Sequence, residues 1–75
     1  MKLYVEVYFT ASGMDPMEII RKIKDIGFEP VVGEYDFVKE YETPSEYGKA
    51  VDKLTRTLRG SGVTFRLITR KDEHG

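Results

Sequence analysis

The sequence predicts an α+β domain, in which four strands form one antiparallel sheet and two helices cover a single face of it. Three observations support this prediction. Four segments have the polarity pattern of strands, two longer segments repeat apolar residues at helical spacing, and each helical segment opens with a capping residue followed by proline. The elements follow one another in the order strand, helix, strand, strand, helix, strand.

The first strand is predicted over residues 2–10, where side chains alternate between two faces. One side is apolar throughout and is expected to face the core; it carries Leu3, Val5, Val7 and Phe9. The opposite side carries Lys2, Tyr4, Glu6 and Tyr8. Tyrosine stands here where lysine or threonine would suit a wet surface, and tyrosine is enriched in contact surfaces. This side is therefore a candidate contact surface.

Three residues indicate the start of the first helix. Asp15 is predicted as the N-cap, Pro16 as the first helical residue and Glu18 as the acid of the first turn. The apolar face of the helix is formed by Ile19, Ile20, Ile23 and Ile26. Gly27 is predicted to end the helix, because glycine adopts the left-handed conformation at little cost.

Two further strands are predicted as a hairpin over residues 28–32 and 35–42. A two-residue turn at Gly33 and Glu34 joins them, with glycine in the first position. Pro30 has no N–H group to donate to a neighbouring strand, which places the shorter strand at the edge of the sheet.

The register of the third strand follows from its acidic residues. If Phe37 faced outward, Asp36 and Glu40 would point into the core, and burying unpaired carboxylates is costly. Phe37 is therefore expected to face the core, and Tyr35, two positions earlier, lies on the same side of the predicted strand. Asp36 is then expected to face the arginines of the last strand, Arg66 or Arg70, across the open face.

The second helix repeats the signals of the first. Thr43 is predicted as the N-cap, Pro44 opens the helix and Glu46 completes a capping box. Its apolar stripe consists of Tyr47, Ala50, Val51, Leu54 and Leu58. After glycines at 60 and 62, residues 63–70 form the last strand, with Val63, Phe65 and Leu67 on one side.

With right-handed crossovers, this order of elements places the strands in the spatial order 4-1-3-2. The arrangement resembles the ferredoxin-like fold across nearly the whole chain. We therefore expect one domain, residues 1–75, with residues 71–75 as a frayed tail. This fold hosts many unrelated activities, so the resemblance indicates architecture and not function.

Composition limits the classes of site. The chain has 75 residues and no cysteine, which excludes disulfides and thiolate zinc sites. A core of this size contributes only about 3–5 kcal/mol of net stability, so regular packing or self-association is the expected supplement.

No apolar run approaches the roughly 20 residues that span a bilayer, and no signal peptide is recognised, so we expect a cytoplasmic protein. No cofactor is indicated, and the charged fraction of 33% resembles that of thermophile proteins.

The charges are segregated along the chain although the net charge is only −1. Residues 29–46 contain six acids and one lysine, whereas residues 49–71 contain seven bases and one acid. Such a distribution favours complementary self-contact over general binding to nucleic acid.

The open face of the predicted sheet is the leading candidate site. Because both helices carry one apolar stripe, they cover only one face and leave the other exposed. The predicted contact surface consists of Tyr4, Tyr8, Arg66, Ile68 and Arg70. Tyrosine and arginine are enriched at interfaces because each combines a large contact area with a polar end. The leading hypothesis is a non-catalytic domain that forms a homodimer, or binds another protein, through this surface.

Single-stranded RNA is the alternative partner. The segment LYVEV resembles the first-strand motif of RNA-recognition-motif domains, with Tyr4 at the aromatic position, and GEYDFVKE resembles their third-strand motif at Tyr35, Phe37 and Val38. The resemblance implies bases stacked on the open face. The sequence departs from the longer motif at Gly33, Glu34, Asp36 and Glu40. Carboxylates on this strand would repel phosphate.

Two other surfaces are candidates for binding. Ser12 and Gly13 precede a helix N-terminus, where free N–H groups can hold a small anion, as in a metabolite-binding regulatory module. Lys49, Lys53 and Arg56 share one side of the second helix and form a candidate basic docking face. No catalytic constellation is recognised, because the single histidine, His74, lies in the tail and no hydroxyl group has a base.

Overall fold

The computed structural model describes residues 1–33 and 35–70. The six elements are β1 (Lys2–Tyr8), α1 (Pro16–Asp25), β2 (Glu29–Pro30), β3 (Phe37–Glu40), α2 (Pro44–Leu58) and β4 (Thr64–Arg70). They form one antiparallel sheet in the order β2-β3-β1-β4, an α+β ferredoxin-like arrangement. The predicted fold class and strand order are therefore confirmed. The predicted tail at 71–75 and Glu34 of the predicted turn lie outside the described residues.

Both helices begin where their capping signals predict. The Asp15 carboxylate accepts a hydrogen bond from the Met17 backbone N–H at 3.1 Å, and the Thr43 hydroxyl accepts one from the Glu46 N–H, also at 3.1 Å. The Glu46 side chain accepts from the N–H of Glu42, one residue before the cap, and not from that of Thr43, so the predicted capping box forms with this bond displaced by one residue. The first helix ends at Asp25 and is followed by Gly27 with a φ of 101°. The bonds to Asp15 and Thr43 satisfy N–H groups that each helix leaves free at its start.

The strands are shorter than the sequence predicts. The ladder between β2 and β3 contains only Glu29 opposite Val38 and Pro30 opposite Phe37. Pro30 donates no hydrogen bond, so the edge strand cannot extend as a regular ladder through it. The Val31 N–H still bonds to the Asp36 carbonyl at 3.0 Å, which keeps the two segments adjacent.

The core lies between the sheet and the two helices. Leu3 and Val5 of β1 are fully buried there, and the helices contribute their predicted stripes. The buried apolar residues are Leu3, Val5, Ile19, Ile23, Phe28, Phe37, Tyr41, Ala50, Leu54, Leu58 and Val63. Because both helices bury their side chains in this single cluster, they cover the same face of the sheet.

The prediction that Phe9 belongs to the core is wrong. β1 ends at Tyr8, and the side chain of Phe9 is 40% exposed. The reason is the length of the neighbouring strands. β4 begins at Thr64, opposite Tyr8, and β3 begins at Phe37, opposite Val5, so no strand remains to hold Phe9 in the alternating pattern.

Candidate functional site

The open face is built on β1, which lies between β3 and β4. Tyr4 of β1 stands opposite Val38 on one side and Ile68 on the other. Because Leu3 and Val5 are buried on the helix side, the alternation of the strand places Tyr4 on the opposite face, which the helices leave uncovered. Ile68 lies beside it on β4.

The end of β1 adds a polar cluster to the same face. Glu6 stands opposite Arg66, and their side chains approach to 3.8 Å, while the guanidinium side chain of Arg66 stays 69% exposed. The Tyr8 hydroxyl donates to the Glu6 carboxylate at 3.4 Å, and Tyr8 is 49% exposed. Contacts of this kind are weak individually, because water competes for each charged group. The cluster therefore leaves a tyrosine ring and a guanidinium accessible to a partner.

Tyr35 forms the centre of the face together with Tyr4 and Arg70. The rings of Tyr4 and Tyr35 have centroids 4.7 Å apart and planes inclined by 32°. Arg70 donates a hydrogen bond from Nη2 to the Tyr35 hydroxyl at 2.7 Å, and its guanidinium lies 5.5 Å from the centre of the same ring. A shallow depression of about 380 Å³ adjoins the three residues and is lined in addition by Val31 and Val32.

The sequence prediction missed this role of Tyr35. Strand alternation places Tyr35 on the core side with Phe37, but β3 begins only at Phe37, so alternation does not apply to the residue two positions earlier. Phe37 does face the core, as predicted, and is 3% exposed. The signal in the sequence was the glycine at 33, two residues before Tyr35, which marks a turn after which regular pairing resumes only at Phe37.

Asp36 also differs from its prediction. Its carboxylate accepts a hydrogen bond from the Val7 backbone N–H at 2.8 Å instead of facing Arg66 or Arg70, and its own N–H donates to the Val5 carbonyl at 2.9 Å. The side chain thus continues the ladder between β1 and β3 beyond the last paired residue. Its negative charge is engaged along the sheet by a backbone donor.

The predicted anion loop is held by contacts within the chain. The Gly13 N–H donates to the Thr10 carbonyl at 3.2 Å, and the Met14 N–H donates to the Ser61 carbonyl at 2.9 Å. Ser12 is exposed and precedes these contacts. The carboxylate of Asp15 occupies the start of the helix, where an anion would bind. These donors are therefore already used by the protein itself.

The predicted basic docking face lies on the solvent side of α2. Lys49, Lys53 and Arg56 are all exposed. Arg56 pairs with Asp52 one turn earlier, at 3.1 Å, so part of its charge is balanced within the helix. Lys49 and Lys53 border a crevice that also contains the acidic residues Glu40 and Glu46. The surface is a mixed charged face more than a uniform cationic stripe.

Residues 1–33 and 35–70 contain no group of three or more His, Cys, Asp and Glu side chains placed to hold a metal ion. In the same residues, neither helix is long and apolar enough to cross a membrane. The single histidine, His74, lies outside the described residues.

The open face thus combines aromatic rings, the aliphatic side chains of Val38 and Ile68, guanidinium groups and carboxylates. All five predicted contact residues, Tyr4, Tyr8, Arg66, Ile68 and Arg70, lie on it, and the structure adds Tyr35. Comparison of the chain with protein-family models, with curated proteins and with solved structures found no match.

Proposed function

We propose that this chain is a non-catalytic interaction domain that forms a homodimer through the open face of its sheet. The observation that supports the proposal is the accessibility of the aromatic and cationic residues there, above all Tyr8 at 49% exposure and Arg66 at 69% side-chain exposure. Neither helix covers them. Tyrosine and arginine in central positions of a surface are the residues that dominate binding energies at protein interfaces.

A second copy is the partner that the physical properties of the chain favour. The domain is small, and burial of the uncovered face against a copy of itself would add the apolar contact that a single subunit lacks. Closed two-fold dimers are the commonest oligomers, and they need a surface that is complementary to itself. The face carries both signs of charge, with Arg66 beside Glu6, which permits such complementarity.

The dimensions of the face set the expected strength of the dimer. Four strands about 4.8 Å apart and at most seven residues long, at about 3.4 Å per residue, give a face of roughly 19 by 24 Å. Two such faces bury roughly 900 Å² in total, which is below the range of about 1,200–2,000 Å² for stable specific interfaces and falls among weak, transient ones. We therefore expect a weak dimer, with a dissociation constant in the micromolar range rather than the nanomolar range.

The test is the oligomeric state as a function of concentration. Sedimentation equilibrium between about 5 μM and 1 mM is expected to show the 8.7 kDa monomer giving way to a dimer. The variant Tyr8→Glu places a charge in the face and is expected to remain monomeric. The control is Met17→Glu, which makes the same kind of change at a residue of α1 that is 66% exposed on the helix side, and this variant is expected to dimerise normally.

Two results would contradict the proposal. One is a wild-type protein that stays monomeric at 1 mM. The other is a Tyr8→Glu variant that dimerises as strongly as the wild type, which would place the contact elsewhere, for example at the outer edge of β4.

Binding of single-stranded RNA is a second candidate, which the cluster of Tyr4, Tyr35 and Arg70 supports. Bases stack on aromatic rings, and a guanidinium beside the ring contributes further attraction. The carboxylates of Glu29 and Glu40 on the same face oppose it, since they repel phosphate. Titration with a short single-stranded RNA while amide chemical shifts are recorded decides between the two. Shifts at Tyr8 and Tyr35 in dilute monomer would support RNA binding, and unchanged shifts would exclude it.

A further inference from the structure

The charges on the open face are arranged in columns that follow the strands. The edge strand β4 carries Arg66 and Arg70, which are both exposed. On the other side of β1, Glu40 of β3 and Glu29 of β2 are exposed on the same face; Glu40 stands opposite Lys2, and Glu29 stands opposite Val38. β1 adds Lys2 and Glu6 to the same face, so the half formed by β1 and β4 is net cationic and the half formed by β3 and β2 is anionic.

The two columns are too far apart to neutralise each other within one subunit. β4 is separated from β3, which carries Glu40, by two strand spacings, or about 10 Å, and from β2, which carries Glu29, by three, or about 14 Å. Within the described part of the chain, Glu29 and Glu40 form no ion pair, and Arg66 reaches only Glu6, at 3.8 Å. The charges of both columns are therefore available to a partner.

Symmetry restricts how two such faces can meet. A two-fold axis between the sheets can run across the strands or along them. An axis across the strands places β4 of one copy over β4 of the other, so that arginine faces arginine. An axis along the strands, midway between β1 and β3, places β4 of one copy over β2 of the other and β1 over β3, so that the arginine side of each face lies over the glutamate side of the other.

We infer that the dimer forms about a two-fold axis that runs along the strands, with the Arg66 and Arg70 column of each copy facing the Glu29 and Glu40 column of the other. The inference rests on the proposed function, since it describes the geometry of that dimer. Like charges placed face to face oppose association, and complementary columns both attract and fix the orientation. In this orientation β1 of one copy lies over β3 of the other, which places the aromatic centre of the face inside the interface.

Removing the charge of one column is expected to change the dissociation constant of the dimer in opposite directions for the two orientations. In the variant Glu29→Gln/Glu40→Gln, the axis along the strands predicts a dissociation constant raised roughly tenfold, because exposed ion pairs are lost in both symmetric halves. The axis across the strands predicts a lower dissociation constant, because repulsion is relieved. The control Glu18→Gln removes a carboxylate from the helix side and is expected to leave the dissociation constant unchanged.

Charge reversal gives an independent test. The variant Arg66→Glu/Arg70→Glu/Glu29→Lys/Glu40→Lys exchanges the two columns. The axis along the strands predicts that this variant forms a homodimer but no heterodimer with the wild type, because like columns would face each other in the mixed pair. The axis across the strands predicts the reverse, a heterodimer with the wild type in preference to either homodimer. Because Arg70 also contacts Tyr35, the amide spectrum of the variant checks that its fold is intact.

The outcomes separate this inference from the proposed function. If the wild type dimerises and Tyr8→Glu disrupts the dimer, but the column-exchanged variant pairs preferentially with the wild type or Glu29→Gln/Glu40→Gln binds more tightly, the orientation is wrong and the open-face dimer stands. If the wild type is monomeric at 1 mM, the proposed function itself fails, and the orientation fails with it.

Discussion

The ring of Tyr35 lies on the ring of Tyr4, with centroids 4.7 Å apart, and thereby fixes the segment before β3 onto the face of the central strand. Arg70 at the end of β4 holds the same ring through its hydroxyl. Three elements that are distant in sequence therefore meet at one side chain. The uncovered face is consequently not a flat sheet but a sheet with an aromatic side chain raised above it.

Replacing Tyr35 tests this arrangement. Tyr35→Ala is expected to lower the free energy of unfolding by about 1–2 kcal/mol, because an aromatic pair and the apolar contact of the ring are both lost. Tyr35→Phe keeps the ring and removes only the hydrogen bond to Arg70, so its cost is expected to stay below about 1 kcal/mol. Urea denaturation of dilute monomer measures both. Equal costs for the two variants would show that the ring contact contributes nothing.

The close approach of Gly13 and Gly62 is expected to exclude any side chain at position 62. A Cβ atom there would lie 2.9 Å from the Cα of Gly13, and the φ of Gly62 is +79°. Gly62→Ala is therefore expected to destabilise the protein by about 2–4 kcal/mol, combining backbone strain with overlap. Thermal unfolding followed by circular dichroism measures the effect.

Gly60 provides the matched control for that substitution. Its φ is +77°, but a Cβ atom there would meet nothing within 4 Å. Gly60→Ala is expected to cost only the conformational strain, about 1–2 kcal/mol. If the two alanine variants were equally stable, the contact between the two loops would have no steric significance.

The carboxylate of Asp36 is expected to stabilise the end of β1. It accepts a hydrogen bond from the Val7 N–H at 2.8 Å. Asp36→Ala removes that acceptor and is expected to cost about 1 kcal/mol, since water can replace the bond only in part. Asp36→Asn retains an acceptor oxygen and is expected to cost less. Hydrogen exchange of the Val7 amide is the direct measurement, and unchanged exchange in Asp36→Ala would contradict the assignment.

Ser61 is expected to be important for the turn between α2 and β4. It is 4% exposed, its hydroxyl donates to the Leu58 carbonyl at 2.6 Å, and the hydroxyl accepts from the Val63 N–H at 3.2 Å. Ser61→Ala leaves both backbone groups without this partner, and we expect a cost of about 1–3 kcal/mol. Ser45→Ala, at an exposed position of α2, is the control and is expected to stay within about 0.5 kcal/mol of the wild type. Equal midpoints of denaturation for the two variants would show that the Ser61 hydroxyl does not stabilise the fold.

The elements that could be predicted are those whose signals are local. Asp15 and Thr43 cap their helices through residues two and three positions away, so a short stretch of sequence contains the whole interaction. The helical stripes were predicted for the same reason, and Leu54 and Ile23 are fully buried as their spacing indicates. The open face was predicted from the single apolar stripe of each helix, because two such helices can cover only one face of a sheet.

Details at the strand ends were not predictable in this way. Phe9 continues the alternation of β1 but leaves the core, because its neighbouring strands stop earlier. Tyr35 is two positions from Phe37 and would share its face in a regular strand. It lies on the other face because regular pairing has not yet begun at its position. Alternation is a property of paired strands, and the extent of pairing depends on residues that lie elsewhere in the chain.

The amino-acid sequence alone therefore determined the order of the elements, the starts of both helices and the face of the sheet that the helices cover, since each follows from spacing within one segment. Only the tertiary structure decided that Tyr35 contacts Tyr4 and Arg70 and that the Asp36 carboxylate accepts a hydrogen bond from the Val7 N–H. It also decided which charges share the open face and on which side of that face each lies. These features depend on register between strands, and register is a relation between distant segments that no single segment contains.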